Sequence, residues 1–262
     1  MCKITEDPNT PKYTVEQVRA VLLDETAPIA KRTRCAFMLR QIGSEAAMDA
    51  LAEAMRSPSV LIGHEVAFVL GQMQNRYIQP TLVRVVQDTT YHPVVRHEVA
   101  EALGALADPE SIPLLETLCA DPCVEVAHTA QIAVERVRFI KANPTWDAEY
   151  HSLYHCVDPA PPVEEDDVGK LQTMLTDESL SLFQRYRAMF KLRDINTKEA
   201  VLALAEGFKA ASPVLRHEIA YVFGQIVHPA SADSLKVRIY LSILCTKTIS
   251  RLISSSLETQ DD

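Results

Sequence analysis

Three histidines in this chain are each followed by a glutamate: His64-Glu65, His97-Glu98 and His217-Glu218. With 8 histidines and 35 acidic residues among 262 positions, chance supplies about one acidic follower. Each His also has Ala at the third position beyond it and Gly at the seventh: Ala67 and Gly71, Ala100 and Gly104, Ala220 and Gly224. On an α-helix those positions share the face of the His, and small residues there let a neighbouring helix come close. Helices of adjacent repeats pack roughly 8–10 Å apart. Metal–nitrogen bonds are about 2 Å long, so one His from each of two neighbours closes the gap onto a shared ion. Imidazole with carboxylate suits iron, manganese or zinc, and two His with one carboxylate and open positions suits oxygen-activating ferrous iron. Residue types alone leave iron and zinc both open. They also leave the plain alternative, in which a duplicated His-Glu dipeptide is surface charge.

The elements that must position these pairs are legible as repeats. His64-Glu65-Val66-Ala67-Phe68-Val69-Leu70-Gly71-Gln72 recurs as His217-Glu218-Ile219-Ala220-Tyr221-Val222-Phe223-Gly224-Gln225, at an offset of 217 − 64 = 153. The same offset maps Arg34-Cys35-Ala36-Phe37-Met38-Leu39-Arg40 onto Arg187-Ala188-Met189-Phe190-Lys191-Leu192-Arg193. A shorter period lies inside the first half, where His97-Glu98-Val99-Ala100 repeats His64-Glu65-Val66-Ala67 at an offset of 97 − 64 = 33. A weaker copy sits at Val126-Ala127-His128-Thr129-Ala130. A period near 30 with two amphipathic helices per unit is the signature of an α-solenoid, whose repeats bury their apolar faces only against one another. The expected fold is therefore all-α, a HEAT-like solenoid of helical hairpins in two pseudo-symmetric halves. His64 and Glu65 with His97 and Glu98 are expected to hold one ion between neighbouring repeats. His217 and Glu218 belong to the other half and to a second ion.

The halves are expected at residues 1–142 and 168–262. Between them, residues 143–167 carry Asp158-Pro159-Ala160-Pro161-Pro162 and the acidic run Glu164-Glu165-Asp166-Asp167. Prolines lack a backbone donor and an acidic run resists packing, so this reads as a linker or long loop. Trp146, Tyr150 and Tyr154 are candidates to pin its first part. The polar start Met1 to Thr14 has no signal-peptide core and no run of 18 apolar residues occurs, so a cytoplasmic chain with no membrane partner is expected. Six cysteines without a CxxC fit reduced thiols. The net charge of −9 argues against nucleic acid and for a basic partner.

Several motifs together resemble the deoxyhypusine hydroxylase family. They are Gly63-His64-Glu65-Val66-Ala67 with Gly71-Gln72, Arg96-His97-Glu98 with Ala102-Leu103-Gly104, Arg216-His217-Glu218-Ile219-Ala220, Arg185-Tyr186-Arg187-Ala188-Met189-Phe190, and Val157-Asp158-Pro159-Ala160-Pro161-Pro162. The resemblance spans about Tyr13 to Ser231. It implies two HEAT halves that each lend two His-Glu pairs to a di-iron centre, holding two Fe2+. It also implies an enzyme that uses molecular oxygen to hydroxylate deoxyhypusine on eukaryotic translation initiation factor 5A. By that carry-over His64, His97, Glu98 and His217 are ligands. Glu65 and Glu218 are either ligands or carboxylates that grip the substrate's amines. The alternative from another class is a metal-free HEAT scaffold that binds a protein.

One family feature is missing. The duplication places the fourth His-Glu pair at 250 and 251, where this chain has Ser250 and Arg251. The repeat pattern fades from about residue 232. A second iron site short of one His, with poor turnover, is the resulting expectation.

Overall fold

The computed structural model describes residues 13–146 and 152–231, and all regular structure in them is helical. Its α-helices are α1 (Val15–Leu23), α2 (Ile29–Ile42), α3 (Glu45–Ala54), α4 (Val60–Gln72), α5 (Gln79–Gln87), α6 (Pro93–Leu106), α7 (Ile112–Leu118), α8 (Val124–Ala142), α9 (Val168–Thr176), α10 (Leu182–Ile195), α11 (Lys198–Glu206) and α12 (Pro213–Ile226). Local capping sets where many of them start. Thr14 Oγ1 accepts from the Gln17 N–H while Gln17 Oε1 accepts from the Thr14 N–H, which satisfies two orphan donors of α1. Ser181 and Gln184 repeat this box at α10. No helix among the described residues is long and apolar enough to cross a membrane.

The chain forms two compact units, Met1–Tyr150 and His151–Asp262. In unit 1 consecutive helices pair, α1 with α2 through α7 with α8, and the second helices stack in a row, α2 on α4, α4 on α6 and α6 on α8. Leu39, Met48, Leu51, Leu70, Val99 and Leu103 are fully buried along the resulting continuous core. Unit 2 pairs α9 with α10, and α10 packs on α12. Its four α-helices among the described residues begin at 168, 182, 198 and 213, and α1 to α4 begin at 15, 29, 45 and 60, so the offset of 153 holds at every start. The duplication seen in the sequence is a duplication of helices.

A buried arginine fastens three of the six described hairpins. Arg32, Arg96 and Arg185 each occupy the fourth position of the second helix and donate Nε–H to the carbonyl ten residues back: Leu22, Val86 and Leu175, at 2.8, 2.8 and 2.9 Å. Those carbonyls lie in the last turn of the preceding helix, where four C=O groups lack helical partners and a positive charge is favoured. In α4 that fourth position is Gly63, where a Cβ would lie 2.8 Å from Val95 Cγ2 and 3.0 Å from the Met55 carbonyl oxygen. Here the chain exchanges an arginine clamp for a close approach of α4 to α6.

Gly71 and Gly104 set the spacing of the row that carries the candidate ligands. A Cβ on Gly71 would stand 2.9 Å from Ala102 Cα of α6, and one on Gly104 would stand 2.7 Å from Ala133 Cβ and 3.0 Å from Ala133 Cα of α8. Backbone cannot step aside as a flexible side chain can. Gly104→Ala is therefore expected to lower stability by about 1–3 kcal/mol through overpacking, against the roughly 1 kcal/mol gain that helix propensity alone would give. Urea denaturation followed by circular dichroism measures the sign. A stabilised Gly104→Ala protein would show that α6 and α8 are not in such close contact.

Residues 152–167, before α9, are non-helical, as the prolines require, but their apolar part does not stay clear of the helices. Ala160 is fully buried and Asp158 nearly so. Arg187 of α10 donates from Nε to the Pro161 carbonyl at 3.1 Å and from Nη2 to the Pro162 carbonyl at 3.3 Å, and the Val163 N–H returns a bond to the Arg187 carbonyl. The acidic run has a structural use too, since Asp167 caps α9 by accepting from the Lys170 N–H at 2.9 Å. Trp146 packs edge-on against Phe139 in unit 1, and the Tyr154 ring lies against Arg193 in unit 2. Tyr150 lies outside the described residues, as do Ser250 and Arg251.

Candidate metal centre

His64 and His97 hold the same place in the second helices of successive hairpins, the fifth position of α4 and of α6. Each helix start is fixed locally. Ser59 caps α4, and His92 Nδ1 accepts from the Val94 N–H at 3.1 Å at the start of α6 with Pro93 in its first turn. Because α4 and α6 pack directly, the two imidazoles face each other with ring centroids 5.5 Å apart and planes inclined by 42°.

Glu98 completes the group. Its Oε2 lies 2.9 Å from His64 Nε2 and 4.0 Å from His97 Nε2. One donor atom from each of His64, His97 and Glu98 falls within 4.8 Å of the others. The three side chains are 13%, 7% and 5% exposed, so the cluster is largely withdrawn from water. Glu65 occupies a different place. Its Oε1 is 3.6 Å from His64 Nδ1, on the far side of that ring, and its side chain is a quarter exposed. The two His-Glu dipeptides thus divide their work: His64 shares a carboxylate with His97 through the glutamate of the next repeat, not through its own. Thr129 of α8 adds a contact the sequence did not flag, its Oγ1 lying 3.4 Å from His97 Nδ1.

The electrostatics favour a cation. Burial alone would hold His64 neutral, yet Glu98 and then Glu65 outweigh it and its pKa is pushed up to about 10. Two imidazoles with one shared carboxylate, plus a second carboxylate behind, can accept a divalent ion in place of that proton. The donor set fits nitrogen-and-oxygen-ligated metals such as iron, manganese or zinc better than the all-oxygen preference of magnesium or calcium.

In unit 2, His217 and Glu218 take the matching positions on α12. His217 is exposed and Glu218 is buried. Within that unit the described residues gather no third donor beside them.

Comparison with known proteins identifies the frame around this cluster. Residues 56–135 match the HEAT repeats family, a span that takes in His64, Glu65, His97 and Glu98. The chain is 46% identical over 225 residues to deoxyhypusine hydroxylase of Gallus gallus, covering 85% of this chain and 75% of the relative. It is 45% identical over 221 residues to deoxyhypusine hydroxylase of Homo sapiens, covering 84% and 72%. The chain belongs to the deoxyhypusine hydroxylase family. The solved structure of human deoxyhypusine hydroxylase in complex with glycerol superimposes with a TM-score of 0.81 at 45% identity, over 84% of this chain and 76% of that one. Deoxyhypusine hydroxylase membership and the helical solenoid are thus established together, and the His64–His97–Glu98 cluster could hold a metal ion in that setting.

Proposed function

We propose that this chain hydroxylates the deoxyhypusine side chain of eukaryotic translation initiation factor 5A, using molecular oxygen and iron held in part by His64, His97 and Glu98. The observation that carries this reading is the buried cluster of two imidazoles and one carboxylate, set in a chain 45% identical to a human deoxyhypusine hydroxylase. Two His and one carboxylate with open positions is the donor pattern suited to ferrous iron that meets oxygen. Iron bound there supplies the oxygen activation.

The chain's own residues bind, orient and neutralise. His64 and His97 would hold the ion, and Glu98 would supply the negative charge that offsets it within the buried site. Glu65, more exposed and on the outer side of His64, is the carboxylate we assign to the cationic amines of the substrate. His217 and Glu218 are assigned to a second ion. With Ser250 and Arg251 in place of a fourth pair, that second site holds one His fewer, and turnover is slow.

The test is iron-loaded protein mixed with the deoxyhypusine-bearing factor and oxygen, with hypusine followed by mass spectrometry as a gain of one oxygen atom. Slow, oxygen-dependent product is expected. The apparent affinity for the factor should weaken as salt rises, because exposed charges on this acidic chain are screened within about 10 Å at 0.1 M salt. Tight binding of the factor with neither iron uptake nor product would replace this reading with the scaffold.

A further inference from the structure

Threonines inside the helices of this protein commonly turn their hydroxyls back on their own helix. Thr117 donates to the Pro113 carbonyl, Thr173 to that of Gly169 and Thr176 to that of Gln172, each four residues back, at 3.0, 3.0 and 2.9 Å. This back-bond is the usual local option for a helical threonine. Thr129, in the second turn of α8, does otherwise. It is 2% exposed, and its hydroxyl lies 3.4 Å from Nδ1 of His97, on the neighbouring helix of the preceding repeat.

The contact falls on the ring nitrogen that does not face the cluster. An imidazole can ligate through Nε2 only if that atom keeps its lone pair, which places the ring proton on Nδ1, and a partner at the second nitrogen fixes both tautomer and ring plane. Glu98 Oε2 lies 4.0 Å from His97 Nε2, beyond hydrogen-bond distance. His64 has a carboxylate in the corresponding place, Glu65 Oε1 at 3.6 Å from its Nδ1. The solenoid therefore provides the two imidazoles with different supports: an acid from the same helix for His64, a hydroxyl from the next repeat for His97.

We infer that Thr129 is a positioning residue, its hydroxyl accepting a hydrogen bond from the His97 Nδ1–H so that Nε2 is directed with its lone pair at the His64–Glu98 cluster. The inference deepens the metal reading above and rests on it for its functional meaning. It also gives the fourth hairpin, α7 with α8, a part in the site although that hairpin supplies none of the three clustered donors. Gly104 keeps α6 and α8 close enough for the bond, since a Cβ there would strike Ala133.

The experiment compares wild type with Thr129→Val, which keeps the shape and removes the hydroxyl, and Thr129→Ser, which restores it. In metal-free protein, long-range nitrogen–proton NMR correlations read the His97 tautomer directly. In the same proteins under anaerobic conditions, titration with Fe2+ alone reads affinity. Wild type and Thr129→Ser should show the Nδ1–H tautomer, and Thr129→Val should show a mixture with Fe2+ bound about 10–100-fold more weakly, the usual loss when a ligand's orienting partner is removed. A wild-type His97 protonated on Nε2 overturns the inference without any variant, so a poorly folded Thr129→Val protein would not shelter it. Unchanged Fe2+ affinity in Thr129→Val also overturns it. Wild type that takes up no Fe2+ would instead overturn the metal reading, whatever the tautomer.

Discussion

Purified His97→Ala protein is expected to lose iron from its first unit, with affinity there falling by more than the roughly 10–100-fold that follows loss of an orienting partner. The reason is geometric. Removing His97 leaves His64 and Glu98, two donors 2.9 Å apart that can simply close on each other as an ion pair. His64→Ala should abolish binding as well, but it is the less clean experiment. Glu98 is 5% exposed, and taking away His64 removes its partner at 2.9 Å; breaking a buried pair in this way costs about 3–5 kcal/mol. His97 lies farther from Glu98, at 4.0 Å, so its removal should weaken the fold less and the metal site as much. Iron per chain by elemental analysis, alongside a thermal melt of the metal-free protein, separates the two effects. If both variants retain the iron of wild type, the cluster is not a metal centre and the scaffold reading takes its place.

The parts of this protein that repeat are the parts legible in its sequence. Each helix contributes an apolar stripe, each hairpin contributes it again in the next repeat, and the whole set recurs in the second half, so weak local signals reinforce one another. The His-Glu pairs stand out for the same reason, since identical chemistry appears at identical register. What the repeat does not disclose is the division of labour between identical dipeptides. Glu65 and Glu98 look alike in the sequence, yet only Glu98 turns between the two imidazoles, because that depends on the packing of α4 on α6. Thr129 is likewise hidden. One hydroxyl facing one ring of the preceding repeat leaves no periodic trace, and the weaker third copy of the motif offers no reason to single it out. The proline-rich stretch has the composition of a loose loop, whereas two arginines of α10, Arg187 and Arg193, hold it packed.

The second of these arginines sets the other large expected effect: Arg193→Met should destabilise unit 2 by about 3–5 kcal/mol. The side chain is fully buried, and it donates from Nη1 and Nη2 to the two carboxylate oxygens of Asp158 at 2.8 and 2.7 Å. Nε donates to Asp194 Oδ1 at 3.0 Å, and Nη1 reaches Gln225 Oε1 of α12 at 3.3 Å. Burial opposes its charge, and Asp158 more than offsets this, so the guanidinium is held protonated even more firmly than usual. One residue therefore ties the proline-rich stretch, α10 and α12 together, and α12 is the helix that carries His217 and Glu218. Much of the cost of losing it comes from the Asp158 carboxylate, 5% exposed, which loses the guanidinium that balances its charge, and that origin can be tested. If an uncompensated charge is responsible, the double variant Arg193→Met with Asp158→Leu should be clearly more stable than Arg193→Met alone, since a buried pair replaced by apolar side chains is often neutral. Urea denaturation followed by circular dichroism measures both. The single tryptophan, Trp146, lies in unit 1 against Phe139 and reports that unit separately by fluorescence. A double variant as unstable as the single one would mean that Arg193 acts mainly by bridging α10, through Gln225, to α12, the helix that carries His217 and Glu218.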